Sequence, residues 1–535
     1  MKREPATAFD YVIVGAGTAG CVLANRLSAD PSRTVCLLEA GPSDRSLFIR
    51  MPAALTIPIE SKVYNWGYVS EPEAQLNGRR IGQARGRCLG GSSSINGMVF
   101  VRGNPQDFDG WREFGIEGWD FEDCLPYFKK LETFHGQPSP LRGGDGPVSV
   151  VESKADHVFY RSFLEAADQF GLPRAADYNG AEQEGAHVTQ ATIRDGARCS
   201  AADAYLRPAL RNPNLKVIKQ ALATRLLFEG RRATGVAYEA RGQVRAVRAE
   251  TEVILCAGTI GSPQILMLSG VGPADHLKSL DIPILADLPG VGENLQDHVV
   301  APLRYRSDKP LSLSRDLTAF GRARLGLEWL LSRRGLGASN FFEVGAFFRS
   351  EGAGYVNLQH EFLPFLADFR DGKVVLGDGF QYFVSQMRPK SRGRIRLKSA
   401  DPKAKPAIHF NYLSHPEDLR EMLEGIRLTR EMARQRAWDA FRSEALDPAP
   451  DAASDADLTA WLRQSANTEH HPAGTCRMGA DPFAVTDGQG RVHGLERLRV
   501  VDGSILPLVP TANINAPIFM LAEKIAAAMR ARDKR

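Results

Sequence analysis

The sequence predicts a mixed α/β (α+β) protein, in which one domain has a parallel sheet and a second has an antiparallel sheet flanked by helices. Three observations predict it. The N-terminal segment reads as strand, glycine turn, helix and strand. Short strand-like runs and one long amphipathic helix fill the region from residue 357 to 435. With 535 residues, the chain is too long for a single ordinary core.

The N-terminal segment "FDYVIVGAGTAGCVLANRLSADPSRTVCLLEAG" carries a phosphate-binding pattern. Tyr11–Val14 and Val35–Leu38 are apolar strands, and Gly15, Gly17 and Gly20 form G-x-G-x-x-G between them. The first glycine permits the turn, the second lets a pyrophosphate approach the backbone, and the third lets the helix pack on the strand. The helix N-terminus offers free N–H groups to phosphate. A Rossmann-like dinucleotide-binding domain is therefore expected, rather than a glycine turn that only connects two elements.

Glu39 ends the second strand, 19 residues after Gly20. An acid at this place can bind the ribose hydroxyls of an adenosine. Because it is an acid and not an arginine, it argues against a 2′-phosphate. The motif leaves FAD and NAD open.

Charge and composition exclude several classes of protein. The 67 basic and 63 acidic residues give a net charge of +4, so nucleic acid is not an expected partner, and an anionic substrate is at most mildly favoured. No apolar run reaches the length of a transmembrane segment, and the first strand begins too early to leave room for a signal peptide. The seven cysteines form no close pair, which predicts reduced thiols and a cytoplasmic protein, with peripheral membrane association left open.

The stretch "TEHHPAGTCRMG" near the C-terminus holds two adjacent histidines and a cysteine. It has neither the H-E-x-x-H nor the C-x-x-C spacing of a zinc site, so no metal is expected. Taken alone, this stretch leaves open a structural histidine at a turn, a Cys/His nucleophile pair or a single catalytic base.

Five stretches, in order along the chain, resemble the glucose–methanol–choline (GMC) oxidoreductases, and three others, "GASNFFEVGAFFRS", "SRGRIRLKSADPKAKPAIHFNYLSHPED" and "GLERLRVVDGSILP", resemble their choline dehydrogenase branch. The first five are "GRCLGGSSSINGMVFVRG", "GTIGSPQILMLSGVGP", "LPGVGENLQDH", "HPAGTCRMG" and "LRVVDGSILPLVPTANINAPIFMLAEKIA". The resemblance implies FAD, held by a discontinuous domain, and a substrate domain with an antiparallel sheet. We expect the FAD-binding domain at 1–150, 201–300 and 467–535, and the substrate-binding domain at 151–200 and 301–466.

The resemblance also implies a set of cofactor-binding residues around the glycine turn, the Gly/Ser loop and the C-terminal segment. They are Gly15, Gly17, Thr18, Ala19, Gly20, Glu39, Ala40, Trp66, Gly91, Asn96, Gly97, Met98, Val99, Ala223, Asp502, Gly503 and Asn515. In some family members, a histidine just before the loop asparagine links covalently to the flavin. Here that residue is Ile95, so non-covalent FAD is expected.

The catalytic expectation also comes from the family. The histidine of its H-P-x-G-T pattern takes the hydroxyl proton while a hydride leaves for the flavin, and an asparagine near the C-terminal helix pairs with it. These residues are His471 and Asn513 here, with His470 as a bystander. Histidine suits this role because its pKa lies near neutral pH.

The sequence predicts only some of the residues of the substrate pocket. By resemblance, Phe342 replaces a tryptophan of choline-oxidising relatives, Glu361 a histidine and Glu469 an apolar residue. Aromatic and acidic groups could hold a quaternary ammonium, whereas Arg322 and Arg324, expected in a loop nearby, could hold a carboxylate.

The expected function is FAD-dependent oxidation of a primary alcohol to the aldehyde, similar to choline dehydrogenases, with a quinone or electron carrier as acceptor. Within the family, another aliphatic alcohol or a short hydroxy acid such as 3-hydroxypropionate is the alternative. From another class, a flavin-dependent lyase or photoenzyme on the same fold remains, although retention of both His471 and Asn513 speaks against it.

Overall fold

The computed structural model describes residues 7–370 and 373–533, which fold around two large sheets. The first sheet has the strand order Leu215–Lys219, Val35–Glu39, Thr7–Val14, Gln243–Leu255, Arg232–Ala240 and Ala221–Glu229, with Leu498–Val500 paired to Gln243–Leu255. The first four strands and Leu498–Val500 run parallel, and the other two are antiparallel. Both N-terminal strands are buried, as the unbroken apolar runs predict for strands covered on both faces.

The second sheet is antiparallel throughout. Its strand order is Arg442–Asp447, Val299–Ser307, Gly379–Gln386, Leu358–Leu363, Val344–Phe348 and Gly185–Val188, with Asn467–Thr468 paired to Val299–Ser307. The helix Pro416–Ala433 packs on one face of this sheet, where a Cβ at Gly425 would come within 3.1 Å of Val384. The opposite face lines a cavity, described below.

The remaining elements surround these two sheets. Short ladders pair Tyr68–Val69 with Gly82–Gln83, Glu132–Phe134 with Val148–Glu152 and then Gln190–Ala191, Ile193–Arg194 with Ala197–Arg198, Val271–Gly272 with Ala286–Asp287, Leu366–Arg370 with Lys373–Gly377, and Arg394–Arg396 with Ala407–His409. The α-helices are Thr18–Ser28, Leu47–Arg50, Thr56–Glu60, Pro105–Asp109, Phe121–Leu131, Val158–Phe170, Arg207–Ala209, Gly258–Leu268, Ala274–Lys278, Ala319–Ser332, Pro416–Ala433, Asp455–Ser465 and Asn515–Asp533.

The predicted fold class is confirmed, since a parallel glycine-turn sheet and an antiparallel sheet coexist in one chain. The three strands expected between residues 357 and 397 form at Leu358–Leu363, Gly379–Gln386 and Arg394–Arg396. The strands of the first sheet all lie in the ranges expected for the FAD-binding domain. Val299–Ser307 crosses residue 300 and Asn467–Thr468 joins the second sheet, so the exact division stays a prediction.

The prediction of a loop around Arg322 and Arg324 is wrong, because these residues lie in the helix Ala319–Ser332. Thr318 caps its N-terminus by accepting from the backbone N–H of Gly321 at 3.2 Å. Leu325 and Trp329, four residues apart, bury one stripe of the helix. Arg324 pairs with Asp316 at 2.9 Å, and Arg322 donates to the carbonyl of Leu317, so neither guanidinium lines the cavity.

Candidate active site

One cavity of about 990 Å³ runs from the glycine turn of the first sheet to the open face of the second. It is lined by His471, Asn513, Phe342, Glu361, Glu469 and every cofactor-binding residue expected from the sequence except Gly20. Gly20 instead permits packing, since a Cβ there would meet the carbonyl oxygen of Gly15 at 1.9 Å. That is the role expected of the third glycine.

The glycine turn leaves room for a ligand at one position. Gly15 has φ +101°, and a Cβ there would meet the carbonyl of Cys256 at 2.4 Å, so only glycine fits. At Gly17, by contrast, a Cβ would meet only that carbonyl, at 4.0 Å, so its open side faces the cavity. The helix Thr18–Ser28 begins there without a side-chain cap. The turn therefore fits a pyrophosphate held by backbone N–H groups.

Glu39 reaches the same end of the cavity. Its carboxylate accepts from the backbone N–H of Ala16 at 2.9 Å and of Gly41 at 2.8 Å. Burial raises its pKa to about 7 despite these bonds. Two donors leave lone pairs free for ribose hydroxyls, so the residues present fit the adenosine half of FAD.

The Gly/Ser loop is fixed from behind by a buried arginine. Arg198 donates to the backbone carbonyl and to Oδ1 of Asn96, both at 2.7 Å. Asn340 donates to the carbonyl of Gly97 at 2.7 Å, and Met98 holds φ +64°. The lining residues 95–99 are thereby presented to the cavity in one conformation, and Ile95 offers no atom for a covalent link.

The C-terminal segment bonds two helices that line the cavity. Asp502 accepts from the backbone N–H of Gly258 at 2.8 Å and from Ser262 Oγ at 2.6 Å. Asn515, the first residue of the last helix, accepts from Thr18 Oγ1 at 2.7 Å. Asn515 thus joins the glycine-turn helix 497 residues away, whereas Asp502 joins the helix Gly258–Leu268.

His471 and Asn513 meet at the far end of the cavity. Asn513 Nδ2 lies 3.4 Å from His471 Nε2 and donates to Glu361 Oε1 at 3.0 Å. Gln359 Nε2 donates to Asn513 Oδ1 at 3.3 Å, which fixes the orientation of the amide. An amide N–H donates, so Nε2 of His471 is an acceptor here.

Sequence reasoning missed the two residues that hold His471, although both lie in the quoted stretch "LPGVGENLQDH". Asp297 accepts from the backbone N–H of His471 at 2.7 Å. It also binds Thr468, Tyr412 and Gln83 at 2.5–2.7 Å. His298 places its Nδ1 3.0 Å from Nδ1 of His471. An Asp-His dipeptide next to a family signature was the available signal.

Burial lowers the pKa of His471 well below 6.5, and the neighbouring His298, Arg85 and His470 lower it further. The ring is therefore neutral at neutral pH and can accept a proton. His470 lines the same cavity but faces Gln83 Oε1, 3.4 Å from its Nδ1.

The second sheet supplies the acidic wall. Successive side chains of Leu358–Leu363 alternate, so Gln359 and Glu361 both bond Asn513 while His360 bonds Thr429 of the packed helix at 2.7 Å. Of the two, Glu361 lines the cavity. Glu469, which follows the strand Asn467–Thr468, accepts from Ser385 Oγ at 2.5 Å. Burial raises the pKa of both glutamates, and the charge of Glu361 raises that of Glu469 further.

Three further features concern metal sites, membrane-spanning helices and the cysteines. Within residues 7–370 and 373–533, no three His, Cys, Asp or Glu side chains are grouped as a metal site requires. In the same residues, no helix is long and apolar enough to cross a bilayer. The seven thiols are all buried and unpaired, as expected from their spacing.

The sequence matches the N-terminal GMC oxidoreductase family model over residues 9–300 and the C-terminal one over residues 389–522. It is 48% identical over 533 residues to "Oxygen-dependent choline dehydrogenase 1" of Chromohalobacter salexigens, covering 98% of this chain and 95% of that protein. It is 48% identical over 531 residues to "Oxygen-dependent choline dehydrogenase" of Burkholderia multivorans, covering 98% and 94%.

Solved structures agree with the fold. Pyridoxine 4-oxidase from "Mesorbium loti" superposes with a TM-score of 0.89 at 31% identity, over 98% of this chain and 99% of that one. A formate oxidase of Aspergillus oryzae, described for its FAD modification, gives 0.93 at 27% identity over the whole of both chains. With the two family matches, these similarities confirm the expected family: the chain belongs to the GMC oxidoreductases and is an FAD-dependent oxidoreductase.

Proposed function

We propose that this enzyme oxidises a primary alcohol with a cationic head group, choline or a close analogue, to the aldehyde. The observation that carries the proposal is the His471–Asn513 pair, 3.4 Å apart, at the end of a cavity whose other end is the glycine turn. The names of the 48% identical relatives support choline as the substrate to test first.

His471 accepts the hydroxyl proton at Nε2, since its ring is neutral and this nitrogen is unprotonated. The N–H of Asn513 that faces Nε2 of His471 would donate instead to the alkoxide oxygen that forms beside this nitrogen, which stabilises the developing charge. Bound FAD would supply the hydride acceptor for this oxidation. The part of the cavity that would hold the flavin ring is lined by Trp66, Asn96, Gly97, Met98, Val99, Asp502 and Gly503.

Glu361 and Glu469 are the groups proposed to hold the cationic head, together with the ring of Phe342. Two buried carboxyl groups with raised pKa values do not both ionise easily. A cation between them would remove that penalty. A hydroxy acid such as 3-hydroxypropionate would instead add a third negative charge to this wall, which makes it the weaker candidate. Other aliphatic alcohols remain within the same chemistry.

A non-oxidative flavoenzyme on this fold is the alternative of a different class. The retained proton acceptor His471, paired with Asn513, favours alcohol oxidation over it. The proposed cofactor state is non-covalent FAD, because Ile95 has no nucleophilic atom.

For the electron acceptor, a quinone or electron carrier is the proposal made from sequence. Glu469 supports it, because it puts a carboxyl group where the family has an apolar residue. The relatives are named "oxygen-dependent" choline dehydrogenases, which makes oxygen the competing electron acceptor.

The proposed location is the cytoplasm, with peripheral attachment to an anionic membrane surface through the helix Ala319–Ser332. Buried, unpaired thiols support a reducing compartment. The helix buries Gly321, Leu325 and Trp329 and turns Phe320 and Leu331, 82% and 80% exposed, away from the protein. The exposed Arg322, Arg324 and Arg334 lie beside them. Apolar side chains flanked by arginines are typical of helices that lie in a lipid interface.

The decisive experiment mixes the FAD-containing enzyme with choline under anaerobic conditions and follows flavin absorbance. Loss of the oxidised flavin spectrum, with betaine aldehyde as product, supports the proposal. If choline leaves the spectrum unchanged while an uncharged primary alcohol bleaches it, the cationic substrate is wrong and alcohol oxidation stands. If no alcohol of a broad panel bleaches the flavin, the function proposed here is wrong.

A further inference from the structure

His298 is a buried histidine that does not line the cavity, yet its ring makes a hydrogen bond to the ring of His471. The two Nδ1 atoms are 3.0 Å apart, and the rings meet edge to face at 78°. His298 follows Asp297 directly, and Asp297 fixes the backbone of both histidines by accepting from their N–H groups at 2.7 and 3.1 Å. The two histidines are therefore joined by the bond between their rings and by the bonds of their backbone N–H groups to Asp297.

Only one of two facing nitrogens can carry the proton in a neutral pair. On the cavity side, Asn513 directs an N–H at Nε2 of His471, so that nitrogen accepts and Nδ1 carries the ring proton. Nδ1 of His298 must then accept. The proton of His298 is then on Nε2, which makes no hydrogen bond within the described residues. The arrangement is therefore specified from the cavity side, where Asn513 faces His471.

We infer that His298 is a positioning residue that fixes the tautomer of His471, by accepting the Nδ1 proton so that Nε2 stays free to take the proton of the alcohol. The inference rests on His471 being the base in the proposed function. The proton taken from the hydroxyl ends on Nε2 of His471, while the Nδ1 proton stays shared with His298, so no proton passes through the pair.

His298 differs from the carboxylate that orients histidine in hydrolase triads, because it is neutral. Burial lowers its pKa to about 3. A neutral partner orients the imidazole without stabilising its protonated form as strongly as a carboxylate would. The other ionisable groups around His471 are Arg85 and His470, which lower its pKa, Asp297 on its backbone, and Glu361 and Glu469 across the cavity.

Two substitutions separate the hydrogen bond from the shape of the ring. His298→Asn keeps an acceptor near the position of Nδ1 but loses volume, whereas His298→Leu keeps volume but has no acceptor. We expect flavin reduction by choline, or by whichever alcohol reduces the wild type, to slow by about 10-fold to 100-fold in His298→Leu, because the reactive tautomer is no longer favoured. His298→Asn should retain most of the rate. FAD content, read from absorbance, reports folding of each variant.

A third variant, His298→Asp, tests the neutral character of the partner. A carboxylate at this position stabilises the protonated imidazole, so the acid limb of kcat/KM should move to higher pH than in the wild type. Equal losses in Asn and Leu variants of normal FAD content, or an acid limb unmoved in His298→Asp, would overturn the inference.

A measurement without substrate keeps this test separate from the proposed function. In FAD-containing enzyme labelled with ¹⁵N at histidine, we expect a protonated Nδ1 and an unprotonated Nε2 for His471, and the reverse for His298. The signals are assigned by their loss in His471→Ala and His298→Asn. The opposite pattern at neutral pH contradicts the inference whatever the substrate is. The expected pattern in an enzyme that no alcohol reduces would instead leave the proposed function at fault.

Discussion

Nδ2 of Asn513 lies 3.4 Å from Nε2 of His471, although 42 residues separate them in the chain. The amide cannot turn freely, since its oxygen accepts from Gln359 and its nitrogen donates to Glu361. The second sheet thus orients the asparagine, and Asp297 of the stretch "LQD" orients the histidine. Segments far apart in the chain must therefore meet before the pair is in place.

Replacing His471 by alanine should slow flavin reduction by roughly 10²–10⁴-fold, the range typical for loss of a general base. FAD content should stay near that of the wild type. The matched control is His470→Asn, chosen because His470 has φ +62°, which asparagine tolerates better than alanine. A comparable loss in the control, measured by anaerobic stopped flow, would show that the base is assigned to the wrong histidine.

The pH profile of kcat/KM should fall on the acid side, and its apparent pKa should lie well below 6.5. The cause is burial, which lowers the pKa of His471, so the ring stays unprotonated until the pH falls through that lowered value. Above it, the base is fully available. An acid limb centred at or above 6.5 and absent from His471→Ala would contradict the burial effect.

Glu361 and Glu469 should make the affinity for a cationic alcohol rise with pH. Their pKa values are raised, so the ionised forms that attract a cation are populated only as the pH climbs through those values. We expect KM for choline to fall with rising pH in the wild type, and to depend much less on pH in Glu469→Gln. An uncharged alcohol of similar size is the control, and an equal pH dependence of its KM would exclude this role for the pair.

FAD should leave the protein on denaturation. Acid precipitation is expected to put the yellow colour in the supernatant, because Ile95 offers no atom for a covalent bond. Flavin that stays with the pellet after repeated washing would show a covalent link formed elsewhere.

The enzyme should turn over faster with a soluble quinone than with oxygen, since the carboxyl group of Glu469 lies in the cavity beside the flavin-binding residues. The comparison uses one saturating alcohol concentration, with quinone reduction measured under nitrogen and hydrogen peroxide formation measured in air. Hydrogen peroxide formed as fast as the quinone is reduced would contradict this prediction and agree with the "oxygen-dependent" names of the relatives. Glu469→Gln shows whether the carboxylate has any part in the difference.

Phe320→Glu combined with Leu331→Glu should reduce sedimentation with vesicles containing anionic lipid, because each change puts a charge on the apolar side of an arginine-flanked helix. Val244→Glu is the matched control, since Val244 is 75% exposed and lies on a strand of the first sheet. Wild-type protein that does not bind these vesicles contradicts the proposal. A change in oligomeric state of the double variant instead would indicate that the helix contacts another protein chain.

The cofactor end of the site could be predicted from the sequence because its determinants are local. The turn at Gly15, the open side of Gly17 and the acid at Glu39 all follow from one strand–helix–strand unit, in which residue spacing fixes geometry. The alternation that points Glu361 at the cavity is local in the same sense, since a strand has a period of two.

Only the tertiary structure decided which partners these residues meet. The hydrogen bonds between them join separate segments of the chain. They connect the strand that carries Gln359 and Glu361 to Asn513, Asn513 to His471, and His471 to His298. The helix Ala319–Ser332 was not predicted either. It buries only Gly321, Leu325 and Trp329, so the helical period of its apolar residues is weak in the sequence. The sequence thus determined the fold class and the family of this protein, whereas the hydrogen-bond partners of His471 were decided by packing, because contacts between distant segments leave no spacing pattern in the chain.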